Sequence, residues 1–258
     1  MDSLLRLGRE YGSLFALLAF LCTVLIFATG AVNYEWQWWR VPEYIKGPGE
    51  GISAGPLLLG LAVTLEISSL SMVFAIILGM GAALLRLSDS VTGRFISYIY
   101  IESIRNTPLI VQIFVMYFAV SPIFGFSAFT SAVTALSLFE GAYISEIIRA
   151  GVVSIRKGQW EAALSLGMGR FHVYRYIVLP QALRRVLPPL TGQGISLIKD
   201  SALVSTISIY DLTMMGQSIV SETFLTFEIW FTVAVMYLTL TVALSFLSGY
   251  IEKRFNVH

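Results

Sequence analysis

The sequence predicts an all-α integral membrane protein, and three observations predict it. The 258 residues are 56% hydrophobic with a mean hydropathy of +0.76. Only 13% are charged, about half the proportion usual in soluble domains. Six apolar segments, about 14–32, 57–85, 96–120, 127–149, 187–209 and 229–250, reach the roughly 20 residues that a helix needs to cross hydrocarbon. None alternates with the two-residue period of a barrel strand, which leaves helices as the spanning form.

The first segment follows Arg6 and Arg9 and ends near the small residues Ala28 and Gly30. A cleaved signal peptide would have those features. The length of the run from Leu14, and the belt of Trp36, Trp38 and Trp39 behind it, fit a retained span better. Cys22 lies within this run as the single cysteine, so neither an intramolecular disulfide nor a cysteine metal cluster is available. The connection 33–56 reads as external, with a short interfacial helix around Trp36–Tyr44 broken by Gly47-Pro-Gly-Glu-Gly51.

The segments between 57 and 149 are long enough to tilt or to project past the bilayer. Gly79, Gly81, Gly192 and Gly194 are small positions that permit close helix contact. Pro108 removes a helical hydrogen bond and predicts a kink, with Asn106 or Thr107 satisfying the freed carbonyls. A hinge and simple kinked packing are both open there. The connection 210–228 is external.

Orientation follows from Lys and Arg. With six spans, Arg6, Arg9, Arg86, Arg94, Arg149, Arg156, Lys157, Arg170, Arg175, Arg184, Arg185, Lys253 and Arg254 all fall on one side. Arg40 and Lys46 fall on the other, so both termini are expected in the cytoplasm.

The fourth and fifth segments are joined by the most elaborate polar stretch of the chain. Gln159 to Leu166 are good helix formers, Gly167 is a natural stop, and a second helix fits Phe171 to Leu179. Pro180 and the pair Pro188-Pro189 read as boundaries. Trp160, Leu164 and Met168 recur at spacings of four and share a face. So short a helix is marginal alone. It fits either a groove on a partner or the membrane domain of its own chain. His172 and His258 are not spaced as metal ligands and are expected to face solvent.

These residues resemble a known family. Gly158-Gln-Trp-Glu-Ala-Ala-Leu-Ser-Leu-Gly167, followed by Ile177-Val-Leu-Pro180, is similar to the EAA loop of permease subunits in ATP-binding cassette importers. Arg105-Asn-Thr-Pro108-Leu-Ile-Val-Gln112, Gly141-Ala-Tyr-Ile-Ser-Glu-Ile-Ile-Arg149-Ala-Gly and Leu179-Pro-Gln-Ala182 with Leu187-Pro-Pro189 resemble its polar amino acid branch. The resemblance covers about residues 55–255.

It implies a type I ABC importer permease (MetI-like) bundle of about six transmembrane helices with a cytoplasmic EAA coupling helix. Residues 1–55 would add an N-terminal span and external segment, and residues 56–258 would form the transporter domain, with the coupling loop at about 150–186. The implied setting is the inner membrane of a prokaryote. The implied partners are ABC ATPase subunits inside, a second permease copy (identical or homologous) and a solute-binding protein outside. The cargo would be a polar amino acid. Gly158, Trp160, Glu161, Ala162, Ala163, Leu164 and Gly167 would dock the ATPase. Two departures stand out: many relatives lack the first span, and relatives often place an Asn where Thr191-Gly-Gln-Gly194 stands here.

Ionisable groups within spans are costly and mark candidate function. Glu66, Arg105, Glu140, Glu146, Lys199 and Asp200 are of this kind. Glu140 precedes Arg149 by nine residues, roughly 14 Å at helical rise and near the midplane. Asp200 lies a similar distance beyond Pro188. Glu140 and Asp200 could therefore face one cavity and hold a substrate ammonium, with Lys199 and Glu66 as further pathway candidates. Lys199 and Asp200 could equally fix helix packing. Glu146 and Arg149 are three apart and suit an ion pair more than a gate; Arg105 and Pro108 are the other gate-or-structure candidates.

No nucleophile–base set, metal cluster, phosphate-binding glycine loop or nucleic-acid face is evident. The chain is thus expected to be no enzyme and to bind no cofactor, with ATP and Mg held by the partner ATPase. An ion-coupled secondary carrier or a channel is the alternative, which leaves the Glu161-Ala162-Ala163 loop without a task; a membrane enzyme would lack a catalytic constellation.

Overall fold

The computed structural model describes Phe20, Thr23, residues 34–47 and residues 53–254. The expected first span, Cys22, and His258 lie outside the described residues. The chain divides into two units, residues 1–39 and residues 40–258. In the first, the rings of Trp36 and Trp38 stack at 6.0 Å. All that follows concerns the second.

A five-residue helix α1, Val41–Ile45, is the interfacial helix, shorter than expected. Gly47 N–H donates to the Ser53 carbonyl at 2.7 Å and Gly55 N–H to the Ile45 carbonyl at 2.9 Å; residues 48–52 between them lie outside the described residues. Pro56 then starts α2, Pro56–Leu87, in the first turn, where its missing N–H costs nothing. The other elements are α3 (Val91–Arg105), α4 (Leu109–Phe124, with a π-helical stretch Val115–Val120), α5 (Ala128–Val153), α6 (Lys157–Ser165), α7 (Leu179–Asp200), α8 (Leu212–Thr223) and α9 (Thr226–Arg254). A π-helical stretch Val173–Val178 leads into α7, and a 3-10 helix Ser201–Ile207 extends it.

Helices α2, α5 and α9 are long and apolar enough to cross a membrane by themselves. The predicted span 96–120 is not one straight helix: α3 and α4 meet at 106°. Pro108 is the cause, since the residue before a proline is pushed out of helical geometry and Pro108 itself is extended. The freed carbonyls find side chains. Asn106 Nδ2 donates to Glu102 O and Thr107 Oγ1 to Ser103 O, both at 2.8 Å. Gln112 Nε2 bridges Ile104 O at 2.8 Å and Thr107 O at 3.0 Å.

The other prolines divide. Pro180 lies in the first turn of α7, as expected of a boundary residue, whereas Pro188 and Pro189 sit inside α7 without ending it. The carbonyls that Pro188 and Pro189 leave without a helical donor belong to the exposed Arg184 and Arg185, where water can serve them. The segment Phe171–Leu179 is therefore the irregular lead-in of α7 and not a separate helix.

Small residues carry much of the buried side of α2, beside large buried side chains such as Leu57 and Ile67, which pack with Leu212 and Leu136 of other helices. On α2 the buried stripe includes Gly60, Thr64, Ser68, Ser71, Ala75, Gly79, Ala82 and Ala83. Phe74, Ile77 and Leu84 are exposed on the same helix. In lipid, burial of apolar bulk brings no gain, so close backbone approach and hydrogen bonds select the interface. The chief packing is α2 on α5. A Cβ at Gly79 would lie 2.7 Å from Ile144 Cγ2 and 2.8 Å from the Gly141 carbonyl, so the contact demands glycine. Ser137 Oγ donates to Ser71 O at 3.3 Å across the same interface. The expectation fails at the other three glycines: a Cβ at Gly81 or Gly192 meets nothing within 4 Å, and one at Gly194 meets only the tip of Met72 at 3.9 Å.

At the opposite end of the bundle, α8 is tied to α2 and α9. Asp211 caps α8 by accepting from Met214 N–H at 2.9 Å, and it accepts from Tyr237 Oη of α9 at 3.4 Å. Leu212 N–H donates to Thr64 Oγ1 of α2 at 3.1 Å.

Candidate functional site

Two places concentrate the chemistry. The first is α6. Its C-terminus is a complete Schellman closure: Gly167 N–H donates to Leu164 O at 2.9 Å and Met168 N–H to Ala163 O at 3.2 Å. Gly167 takes φ +81° with open space around it, as a natural stop requires. The apolar face is split in a way the sequence did not reveal. Ala163 is buried against Ile155, Val173 and Val178 of its own chain, with Trp160 and Met168 packed beside it. Trp160 meets the Tyr174 ring edge-on at 4.9 Å. Leu164 points outward with Glu161 and Ala162, and Leu166 is 83% exposed. Trp160, Leu164 and Met168 therefore do not form one docking face. The helix starts at Lys157 with no side-chain cap. The surface free for a partner is Gln159, Glu161, Ala162, Leu164 and Leu166, with exposed Gly158 at the helix start.

The second place is a buried polar group between α5 and α7. Glu140 is fully buried. Its Oε2 accepts from Gln193 Nε2 at 2.5 Å, and its Oε1 has no partner among the described residues. Gln193 and Asp200 are seven apart, two turns of one helix, and so share a face of α7. Gln193 was missed in the sequence; that two-turn spacing from Asp200 is the signal that could have found it. Lys199 is exposed. Glu66 stands apart, exposed on α2.

Glu146 and Arg149 form the expected ion pair. Arg149 Nη2 lies 2.9 Å from Glu146 Oε2, and its Nε 3.2 Å from both oxygens. Arg86 Nε joins at 3.8 Å from Glu146 Oε1, which ties α2 to the same carboxylate. Arg105 lies over the Tyr143 ring at 5.3 Å. Arg105, Pro108, Phe139 and Tyr143 line a cavity of about 330 Å³ at the α3–α4 bend. Among the described residues, no group of three or more His, Cys, Asp and Glu side chains is placed to hold a metal.

The model of the family described as "binding-protein-dependent transport system inner membrane component" matches residues 75–257. The chain belongs to this family. That stretch includes α6 and the Glu140–Gln193 pair, and membership in a binding-protein-dependent transport family leaves a secondary carrier or channel without support. The inner membrane component is 41% identical over 206 residues to the glutamine transport system permease protein GlnP of Escherichia coli (strain K12), covering 78% of this chain and 94% of that one. It is 36% identical over 207 residues to the probable amino-acid permease protein YxeN of Bacillus subtilis (strain 168), covering 78% and 92%.

Among solved structures, an amino acid ABC transporter crystallised with histidines matches with a TM-score of 0.74 at 37% identity, covering 77% of this chain and 94% of that one. The inward-facing MetNI methionine ABC transporter matches with a TM-score of 0.69 at 21% identity, covering 78% and 96%. That second likeness establishes the shared fold. The chain is thus an inner membrane component of a binding-protein-dependent transport system, a transport subunit.

Proposed function

We propose that this component moves polar amino acids, glutamine foremost, inward across a prokaryotic inner membrane, with both termini in the cytoplasm. The similarity to glutamine permeases supports the cargo, and the Lys/Arg asymmetry supports the orientation. A second permease copy completes the pathway, and an external solute-binding protein delivers the cargo. The observation that carries the coupling is the outward face of α6: Glu161, Ala162, Leu164 and Leu166 project from a helix whose inner face is fastened to the bundle. A helix so held transmits force, and α6 therefore seats an ABC ATPase subunit, which holds the ATP and Mg. The chain itself binds no cofactor.

Movement of the ATPase pair reaches the bundle through Ala163, Trp160 and Met168. The spans then alternate their opening around Glu140, Gln193 and Asp200. An amino acid presents an ammonium to carboxylates of this kind and, for glutamine, an amide that both donates and accepts. Uptake by the reconstituted complex, measured over a panel of amino acids, tests the proposal. Glutamine-stimulated ATP hydrolysis with accumulation of glutamine is expected; accumulation that proceeds without an ATPase subunit contradicts it.

A further inference from the structure

The turn between α2 and α3 carries basic charge that the transport reading does not use. Arg86 and Arg94, with Val91, Phe95 and Tyr98, line an open cavity of about 390 Å³. Val91, Arg94, Phe95 and Tyr98 fall at helical spacings of three and four, so they form one face of α3. Arg86 reaches this face from α2, its guanidinium 5.5 Å from the Tyr98 ring centroid.

The acids nearby are committed elsewhere. Glu146 serves Arg149 as well as Arg86, and Asp89 pairs with Arg170 at 3.6 Å. Arg94 meets only the Ser88 carbonyl, at 3.4 Å, and has no carboxylate partner among the described residues. Around the two arginines the surface is apolar: Val91 is 74% and Phe95 62% exposed, and Leu84, Leu85 and Ile96 are exposed as well.

We propose that Arg86 and Arg94 seat the phosphate of an anionic phospholipid, whose acyl chains lie along Val91 and Phe95. Basic pockets between spans are suited to such headgroups, and a guanidinium matches phosphate oxygens in bidentate fashion. A phosphodiester presents one charge and two free oxygens to two arginines and carries its own apolar groups to the apolar wall. Inorganic phosphate would leave oxygens facing that wall without donors. On the orientation proposed above, the leaflet is the cytoplasmic one; the seat itself does not depend on the cargo.

The test is lipid retention by the purified permease–ATPase complex. Delipidated complex is titrated with phosphatidylglycerol or phosphatidylcholine and read by native mass spectrometry, with inorganic phosphate as competitor. Phosphatidylglycerol should bind in preference to phosphatidylcholine. Arg94→Gln should weaken it about fivefold, the loss expected for one basic group at a membrane surface. Arg94→Lys should recover part of that loss, and Arg184→Gln, an exposed arginine on the same side, should change nothing. Equal binding of the two lipids overturns the proposal, and so does an unchanged affinity in Arg94→Gln. Displacement by millimolar phosphate overturns the lipid in favour of a free phosphoanion. Loss of the ATPase subunit from Arg94→Gln with lipid binding intact overturns it in favour of a protein partner.

Discussion

Gln193 donates its side-chain amide to Glu140 across the α5–α7 interface, and this 2.5 Å hydrogen bond joins the two helices at a carboxylate sealed from solvent. A bond to a buried carboxyl group has no water to replace it.

Gln193→Leu should therefore impair uptake more than it impairs assembly. The variant leaves the Glu140 carboxylate without its donor, a loss of about 1.5–3 kcal/mol for a hydrogen bond to a charged group. Initial uptake should fall roughly tenfold or more, while the amount of protein in the membrane stays within a factor of about two. Glu140→Gln should resemble it, and Asp200→Ala should reduce uptake as well. Normal rates with unchanged apparent affinity in all three would remove this group from the pathway.

The α3–α4 bend should depend on Gln112 as much as on Pro108. Gln112→Leu leaves the Ile104 carbonyl with the Thr107 N–H at 3.4 Å and removes the Thr107 carbonyl's side-chain donor, at a cost of about 1–3 kcal/mol for a group left unsatisfied. Thermal unfolding of the detergent-solubilised complex should shift down by several degrees. An unshifted midpoint would show that Asn106 and Thr107 hold the bend unaided.

Two glycines on α2 should separate sharply. Gly79→Val puts its Cβ 2.7 Å from Ile144 Cγ2 and should destabilise by about 1–3 kcal/mol, as overpacking does. Gly81→Val meets nothing within 4 Å and should accumulate in the membrane like the parent. Equal yields of the two would contradict the α2–α5 packing.

The spans at α2, α5 and α9 were legible because apolar length is a strong signal, whereas 187–209, most of it in α7, is not long and apolar enough by the same measure; α6 was legible from its formers and Gly167. The kink at Pro108 and its caps at Asn106 and Thr107 were legible too, because a proline removes a known hydrogen bond. The 106° angle was not, since no local rule sets how far the chain swings after a break. Continuity through Pro188-Pro189 was hidden because it depends on whether the released carbonyls reach water. The division of α6 into an inner face at Trp160, Ala163 and Met168 and an outer one at Leu164 and Leu166 was hidden for a related reason. A helix of two turns has apolar residues nearly all round, and only the lead-in to α7 shows which side is covered.

Coupling of this bundle to an ATPase would run through α6, and a change at Gly167 isolates that step. Gly167→Asp places a side chain at φ +81°, at about 1–2 kcal/mol of backbone strain, and adds a charge beside the outward Leu164 and Leu166. There is space for the side chain within the chain itself, so membrane insertion should be normal. Pull-down of the ATPase subunit, together with glutamine-stimulated hydrolysis and uptake in proteoliposomes, should show either loss of the ATPase or hydrolysis without accumulation of glutamine. A Gly167→Asp complex of normal composition that accumulates glutamine at the normal rate would contradict the account.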